Sequence, residues 1–214
     1  MRRPFIWPAL AVALSLAACS QEAPESESAE ATSASATLAA ETPTAEPSAD
    51  PADEAPADTD GYSSVYTDFD LEACRVTGES TEGASVDYAC PGRNGVSIFV
   101  HLGDGRFDLD VGVDGEEFMT IGAFNELGDR LEWRLKDGDP VAVIFRYLDI
   151  TPQSGGRSVL AVEKIGRAGS PGCRVAQIAG DTPDANAVAR EIADTRAESF
   201  RCGEDEARIV GNAR

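Results

Sequence analysis

The sequence is poor in the residues and motifs on which many enzymes depend. Its 214 residues include one histidine, His101. They include no G-x-S-x-G nucleophile elbow, no Walker A phosphate loop and no dinucleotide-binding glycine fingerprint. No C-x-x-C pair supplies thiolates for zinc. These absences remove the usual signatures of serine hydrolases, nucleotide-binding enzymes and zinc sites. We therefore expect a protein that is not an enzyme and holds no metal or cofactor.

Positive charge is also scarce. The chain has 18 Lys and Arg against 38 Asp and Glu, a net charge of −20. Residues 20–60 contain eleven acidic residues and no Lys or Arg. A chain without a basic patch has nothing to neutralise phosphates, so we expect no nucleic-acid partner. Direct adhesion to anionic lipid is excluded for the same reason.

The one apolar run near the N-terminus is too short for a membrane-spanning helix, which needs ~20 residues. Arg2 and Arg3 precede apolar residues 5–16, and Leu16-Ala17-Ala18-Cys19 follows. A charged start, an apolar run and small residues before a cut site are typical of a secretory signal. The segment resembles the lipobox signal of bacterial lipoproteins. An ordinary cleaved signal peptide is the alternative.

The lipoprotein resemblance implies a cellular location for the chain. Residues 1–18 would be the signal peptide, and Cys19 would carry fatty acyl chains such as palmitate and become the mature N-terminus. Lipoproteins of this type carry three chains, and more than one chain is needed for stable anchoring. Ser20 stands where an Asp would retain an enteric lipoprotein in the inner membrane. The expected location is the bacterial cell envelope, in the outer membrane, facing the periplasm or the surface.

Residues 19–61 are predicted to be the lipidated cysteine and a disordered linker. Between Ser20 and Asp60 the chain is Ala, Pro, Ser, Thr, Glu and Asp with almost no large apolar residue. Such a segment cannot bury enough surface to offset the entropy of ordering it. We expect a flexible tether between the membrane and a globular domain formed by residues 62–214.

Four cysteines remain once Cys19 is assigned to lipid: Cys74, Cys90, Cys173 and Cys202. An even number in an exported chain predicts two disulfides. Three pairings are possible. We favour Cys74–Cys90 and Cys173–Cys202, which close the shortest loops.

The globular part predicts an α+β fold that is mainly β. About seven short strands alternate apolar and polar residues or form apolar runs, with turns such as Gly103-Asp104-Gly105 between them. The last element has Pro183 at a first helical position and an Ala-rich apolar stripe to about Phe200, which predicts one C-terminal helix. The strand order favours one antiparallel meander sheet covered by that helix.

Two groups of residues are candidates for chemistry. Four aspartates lie within eleven residues, with two glutamates next, and this cluster could bind calcium, although the spacing fails the EF-hand pattern. They are Asp104, Asp108, Asp110, Asp114, Glu116 and Glu117. Asp108 and Asp110 share one strand face and are predicted to be solvated. His101 is predicted to be a satisfied or surface histidine, because it alternates with Val100 and Leu102 on a strand.

Two further resemblances concern the globular part. The chain is similar to uncharacterised exported proteins of proteobacteria at Ser64–Asp68, the Cys74 and Cys90 pair, Phe124–Gly128 with Glu132–Arg134, and the helix before Cys202. This group implies no activity. A lipid-anchored, disulfide-bonded β domain also resembles membrane-bound inhibitors of lysozyme in architecture.

Three functions stay open. The first is a non-enzymatic binding domain presented to an envelope protein or glycan on a flexible, lipid-anchored tether. The second is an enzyme that acts on envelope glycans through acidic residues such as Asp108 and Asp110. The third is an inhibitor of a cationic lysozyme, which an acidic domain would attract.

Overall fold

The computed structural model describes residues 60–81, 85–115 and 117–214. The signal peptide at 1–18, the lipidation of Cys19 and nearly all of the linker at 19–61 fall outside these ranges and stay predictions. None of the helices in the described ranges is long and apolar enough to cross a membrane.

The described chain forms eleven strands and one α-helix. The strands are β1 (Tyr62–Asp68), β2 (Arg75–Glu79), β3 (Ser85–Cys90), β4 (Ile98–Gly103), β5 (Arg106–Val111), β6 (Asn125–Leu127), β7 (Arg130–Lys136), β8 (Asp139–Asp149), β9 (Ser158–Lys164), β10 (Cys173–Ala179) and β11 (Arg208–Val210), with the helix α1 (Ala185–Arg196) between the last two.

These strands make two sheets rather than one. Sheet A has seven strands in the order β1-β7-β8-β9-β10-β11, with β6 paired to β8. Its β10–β11 pair is parallel, and its other pairs are antiparallel. Sheet B is the four-stranded antiparallel meander β2-β3-β4-β5. The mainly-β class with one helix and two disulfides is confirmed, but the single seven-stranded meander is wrong.

Sheet A is covered on both faces. One face packs against sheet B through aliphatic and aromatic side chains that include Trp133, Phe145 and Val100. The other face packs against α1 through a second cluster that includes Ile144, Val162 and Ile192. Because both faces are covered, strands β8 to β10 are apolar on both sides.

The helix is shorter than its sequence pattern predicts. It begins at Ala185 rather than at Pro183, and it ends at Arg196 rather than near Phe200. Asp184 lies in the left-handed region with φ 54° and makes no side-chain cap hydrogen bond. The alanines of α1 allow the helix to lie close to the sheet, and Ala189 and Ala193 are fully buried there.

The two disulfides join the pairs that the sequence favoured. Cys74 is bonded to Cys90, with Cα atoms 4.4 Å apart, beside sheet B. Cys173 is bonded to Cys202, with Cα atoms 5.8 Å apart. The second bond ties the chain after α1 to the first residue of β10.

Candidate functional site

A buried arginine lies at the centre of a polar network on the face of sheet A opposite to α1. Arg174 on β10 is 2% exposed. Its Nε donates to Glu163 Oε2 over 2.9 Å, and its Nη2 donates to the Tyr147 hydroxyl over 2.9 Å. Nη2 also lies 3.3 Å from Asp108 Oδ1. A guanidinium this deeply buried needs such partners, because an unpaired buried charge is very costly.

The same network fixes the loop between β5 and β6. The Met119 amide donates to Asp108 Oδ2 over 2.7 Å, and the Met119 carbonyl accepts from Arg174 Nη2 over 2.9 Å. The Tyr147 hydroxyl donates to that carbonyl over 3.2 Å. Both backbone groups of Met119 are therefore held by buried side chains, which gives the loop a defined path over the edge of β5.

An open cavity of about 550 Å³ lies beside this network. Four carboxylates line it, together with the guanidinium of Arg174 and the Cys173–Cys202 disulfide. We call it the acidic cleft; its carboxylates are Asp110, Asp114, Glu117 and Glu163. Among the described residues that line it, Arg174 is the only Lys or Arg, and it already has carboxylate partners. The acidic cleft therefore presents an excess of negative charge.

Burial shifts the titration of the acids in this region. Desolvation by burial, reinforced by the charge of Asp108, raises the pKa of Asp110 to about 6. Burial raises the pKa of Glu163 to about 8, although the nearby Arg174 charge opposes the shift. Burial also raises the pKa of Asp108, and Arg174 again opposes it. Acids with raised pKa values that line a cavity mark it as a functional-site candidate.

The only histidine lies at the rim of the acidic cleft. His101 Nδ1 is 2.8 Å from Asp87 Oδ1, and Nε2 is 2.8 Å from Asp114 Oδ1. Nε2 is also 3.7 Å from Asp110 Oδ2. Burial opposes protonation of the ring, but the hydrogen bonds of Asp87 and Asp114 outweigh it and raise the pKa of His101. The imidazole thus bridges two strands of sheet B and the loop after β5.

Three of these side chains could share a metal ion. One ligand atom from each of His101, Asp110 and Asp114 lies within 4.8 Å of the other two. The loop that carries Asp114 folds tightly over Asp110, whose Oδ2 accepts from the Gly115 amide over 3.0 Å. A Cβ at position 115 would lie 2.8 Å from the same oxygen, so a side chain there would require the Asp110 carboxylate to move.

The acidic residues that were considered as a calcium site do not form one cluster. Asp104 pairs with Arg106 at the β4–β5 hairpin, and Asp108 is held by Arg174. Asp110 and Asp114 do come together, but at His101 rather than at the other acids. Glu116 falls outside the described residues.

The prediction that Asp108 and Asp110 are solvated is wrong. They are 1% and 5% exposed. The strand does alternate, but both of its sides are covered, one by the core and the other by the loop that follows. The prediction of a satisfied His101 is confirmed, since both ring nitrogens lie within hydrogen-bond distance of carboxylates.

Sequence reasoning missed Glu163 and Arg174. Both lie in strands whose other residues are almost all apolar, Ser158–Lys164 and Cys173–Ala179. A charged residue inside a run that is apolar on both faces must have a buried partner or a function. That signal was present in the sequence, although it could not show which charges meet.

Comparison with known proteins adds no assignment: no family model, no curated protein and no solved structure matches the chain.

Proposed function

We propose that the protein is a cell-envelope lipoprotein that presents a non-enzymatic binding domain on a flexible tether, with a cationic group of its partner entering the acidic cleft. The lipid on Cys19 would hold it to the outer membrane through the linker at 19–61. The disulfides support a location outside the cytoplasm, where such bonds persist.

The observation that carries the binding proposal is the charge balance of the acidic cleft. Asp110, Asp114 and Glu117 line the cavity, and the one guanidinium among its described lining residues already binds Glu163 and Tyr147. The cavity is open and large enough to admit a lysine or arginine side chain of a partner. Complementary charge of this kind speeds association and selects partners. A cationic lysozyme therefore stays a candidate partner.

Binding of a cationic lysozyme to the full chain tests the proposal. We expect titration calorimetry to show a complex at low salt that weakens at about 150 mM salt, because exposed charges are screened over about 8 Å there. Glu117→Gln, at an exposed position in the acidic cleft, should weaken the complex. Asp104→Asn removes the same charge from the exposed β4–β5 turn and should leave binding unchanged. No binding at either salt concentration would contradict a lysozyme partner. An equal loss of affinity in both variants would contradict binding in the acidic cleft.

One observation favours an envelope glycan-acting enzyme as the second candidate. The acidic cleft holds two carboxyl groups whose pKa values are raised to different extents, about 6 for Asp110 and about 8 for Glu163. A protonated and an ionised carboxyl facing one cavity is the pairing that glycosidases use. Asp108 does not fit this role, because Arg174 and two backbone amides already bind it.

Purified peptidoglycan provides the test of the enzymatic alternative. If the chain is a glycosidase, it should release sugar fragments, and Asp110→Asn should abolish the release. Asp104→Asn is again the matched control. Absence of fragments with the wild-type chain, together with binding of a cationic partner, would favour the binding domain.

A further inference from the structure

We propose that His101, Asp110 and Asp114 form a binding site for one divalent transition-metal ion at the rim of the acidic cleft. The proposal goes beyond the binding function above and does not depend on it. It replaces the expectation from the sequence that the chain holds no metal.

The first support is the geometry of the three ligand atoms. The Nε2 of His101 lies 2.8 Å from Asp114 Oδ1 and 3.7 Å from Asp110 Oδ2. In a tetrahedral zinc site with bonds of about 2.0–2.2 Å, neighbouring ligand atoms lie about 3.3–3.5 Å apart. The two observed distances fall on either side of that value. Small rotations of Asp114, which is half-exposed, would place all three atoms around one ion.

The second support is the group behind the histidine. Asp87 Oδ1 lies 2.8 Å from His101 Nδ1, on the opposite side of the ring from Asp110 and Asp114. Asp87 is not one of the three ligands. A carboxylate that accepts from the far nitrogen of a metal-binding histidine selects its tautomer and orients the ring. Here that hydrogen bond directs Nε2 toward the two remaining carboxylates.

The third support is the burial of acidic groups at the site. Asp110 is 5% exposed, and its Oδ2 accepts from the Gly115 amide. Glu163 is 1% exposed and lines the same cavity, where Arg174 binds its Oε2. Burying a carboxylate is costly unless positive charge or hydrogen bonds compensate it, and a bound cation would supply positive charge beside Asp110.

The ligand set selects the class of ion. An imidazole nitrogen with two carboxylates suits zinc and neighbouring divalent transition metals. Calcium and magnesium prefer six or more oxygens, and an imidazole in the set disfavours them. Three protein ligands would leave a fourth position for water or for a basic group of a bound molecule.

The single histidine makes the test direct. The full chain, labelled with ¹⁵N and purified without a polyhistidine tag, is titrated with Zn²⁺ while its imidazole signals are followed by NMR. Since His101 is the only histidine, every imidazole signal belongs to the proposed site. We expect the Nε2 signal to shift to that of a metal-bound nitrogen at one equivalent, with Nδ1 still protonated. Ca²⁺ at the same concentration should cause no such shift.

Variants separate a metal site from a metal-free cluster. Calorimetric zinc affinity should fall at least tenfold in His101→Ala and in Asp114→Asn, and about tenfold in Asp87→Asn, through loss of the orienting hydrogen bond. Asp104→Asn, an exposed acid at the end of the same sheet, should retain wild-type affinity. Asp114 is half-exposed, so its variant keeps the test valid if His101→Ala does not fold. Unchanged imidazole signals in the wild-type chain, or equal affinity in all variants, would overturn the proposal.

Discussion

The two faces of sheet A are covered in different ways. Toward α1 the packing is mainly aliphatic, with alanines that let the helix approach, but it includes the buried Arg134, which is 2% exposed and donates to Asp194 of α1. A second ion pair stands at the margin. Arg190, which pairs with Glu132 there, is 34% exposed. Toward sheet B the core contains Trp133 and Phe145 but also the fully buried Arg174 with Glu163. Both faces therefore bury an arginine, but the guanidinium on the sheet B side, Arg174, is the one that lines the acidic cleft.

This difference separates the stabilising face from the candidate functional face. Most of the contact between α1 and sheet A is apolar, and that part depends little on pH. A buried ionic network is a weak route to stability, because desolvation offsets most of the attraction between the charges. The acidic cleft opens beside that network, and the proposed recognition of a cationic partner would give its charges a role apart from stability.

Removing Arg174 should have the largest effect. Arg174→Ala leaves Glu163 and Asp108 buried without their cation, so the free energy of unfolding should fall by about 3–5 kcal/mol. Arg190→Ala on the helix side removes a partly exposed partner and should cost about 1 kcal/mol or less. Urea denaturation measures both. Equal losses would show that the buried Arg174 contributes no more to stability than a partly exposed arginine.

Removing the Cys173–Cys202 disulfide should cause the second largest loss of folding stability. Replacing both cysteines with serine frees the segment after α1 and should cost roughly 3–4 kcal/mol, since the bond closes a loop with a separation of 29 residues. Hydrogen exchange should rise first in the segment after Gly180. Replacing Cys74 and Cys90 in the same way is the control, because that bond lies beside sheet B. Equal exchange in α1 in the two variants would argue against local tethering of the helix.

Truncating Ile192 tests the apolar part of the contact between α1 and sheet A. Ile192 on α1 is 1% exposed, so Ile192→Ala should lower the free energy of unfolding by about 3 kcal/mol. Because no titrating group is lost, the decrease should be the same at about pH 5.5 and about pH 8.5. Thermal unfolding at the two pH values checks this. A pH-dependent loss would show that the two faces are coupled.

The acids on the sheet B side of sheet A predict a smaller loss of folding stability that depends on pH. Glu163 binds its proton more tightly in the folded state, with a pKa of about 8 against an ordinary value of 4.5. The folded state therefore holds more protons than the unfolded state, and stability falls as pH rises between these values. Asp110, raised to about 6, acts in the same direction over a lower range. His101, also raised, contributes stability that is lost as pH rises above its folded pKa.

We expect the free energy of unfolding to fall by an amount on the order of 2–3 kcal/mol between about pH 5.5 and pH 8.5, which corresponds to a decrease in Tm of roughly 5–10 °C. Glu163→Gln should remove most of this decrease, because an amide cannot ionise. Calorimetric scans of the variant and the wild-type chain make the comparison. A slope unchanged by Glu163→Gln would place the titrating group elsewhere.

The sequence by itself determined the local features of the described chain. Alternation and apolar runs predicted most strands, the Ala-rich stripe predicted the helix, and loop length favoured the observed cysteine pairs. Each of these follows from interactions between residues that are close in the chain. The lipid anchor on Cys19 and the linker rest on the same kind of local pattern and stay predictions.

Tertiary structure alone decided how the strands are grouped and which charges meet. Pairing of β1 with β7 and the parallel pairing of β11 with β10 join segments that no local pattern connects. The acidic cleft combines Asp110 of β5, Glu163 of β9 and Arg174 of β10. A strand pattern shows which residues share a face, but not what covers that face. Asp108 and Asp110 were therefore expected in water, whereas the loop after β5 and the buried arginine enclose them.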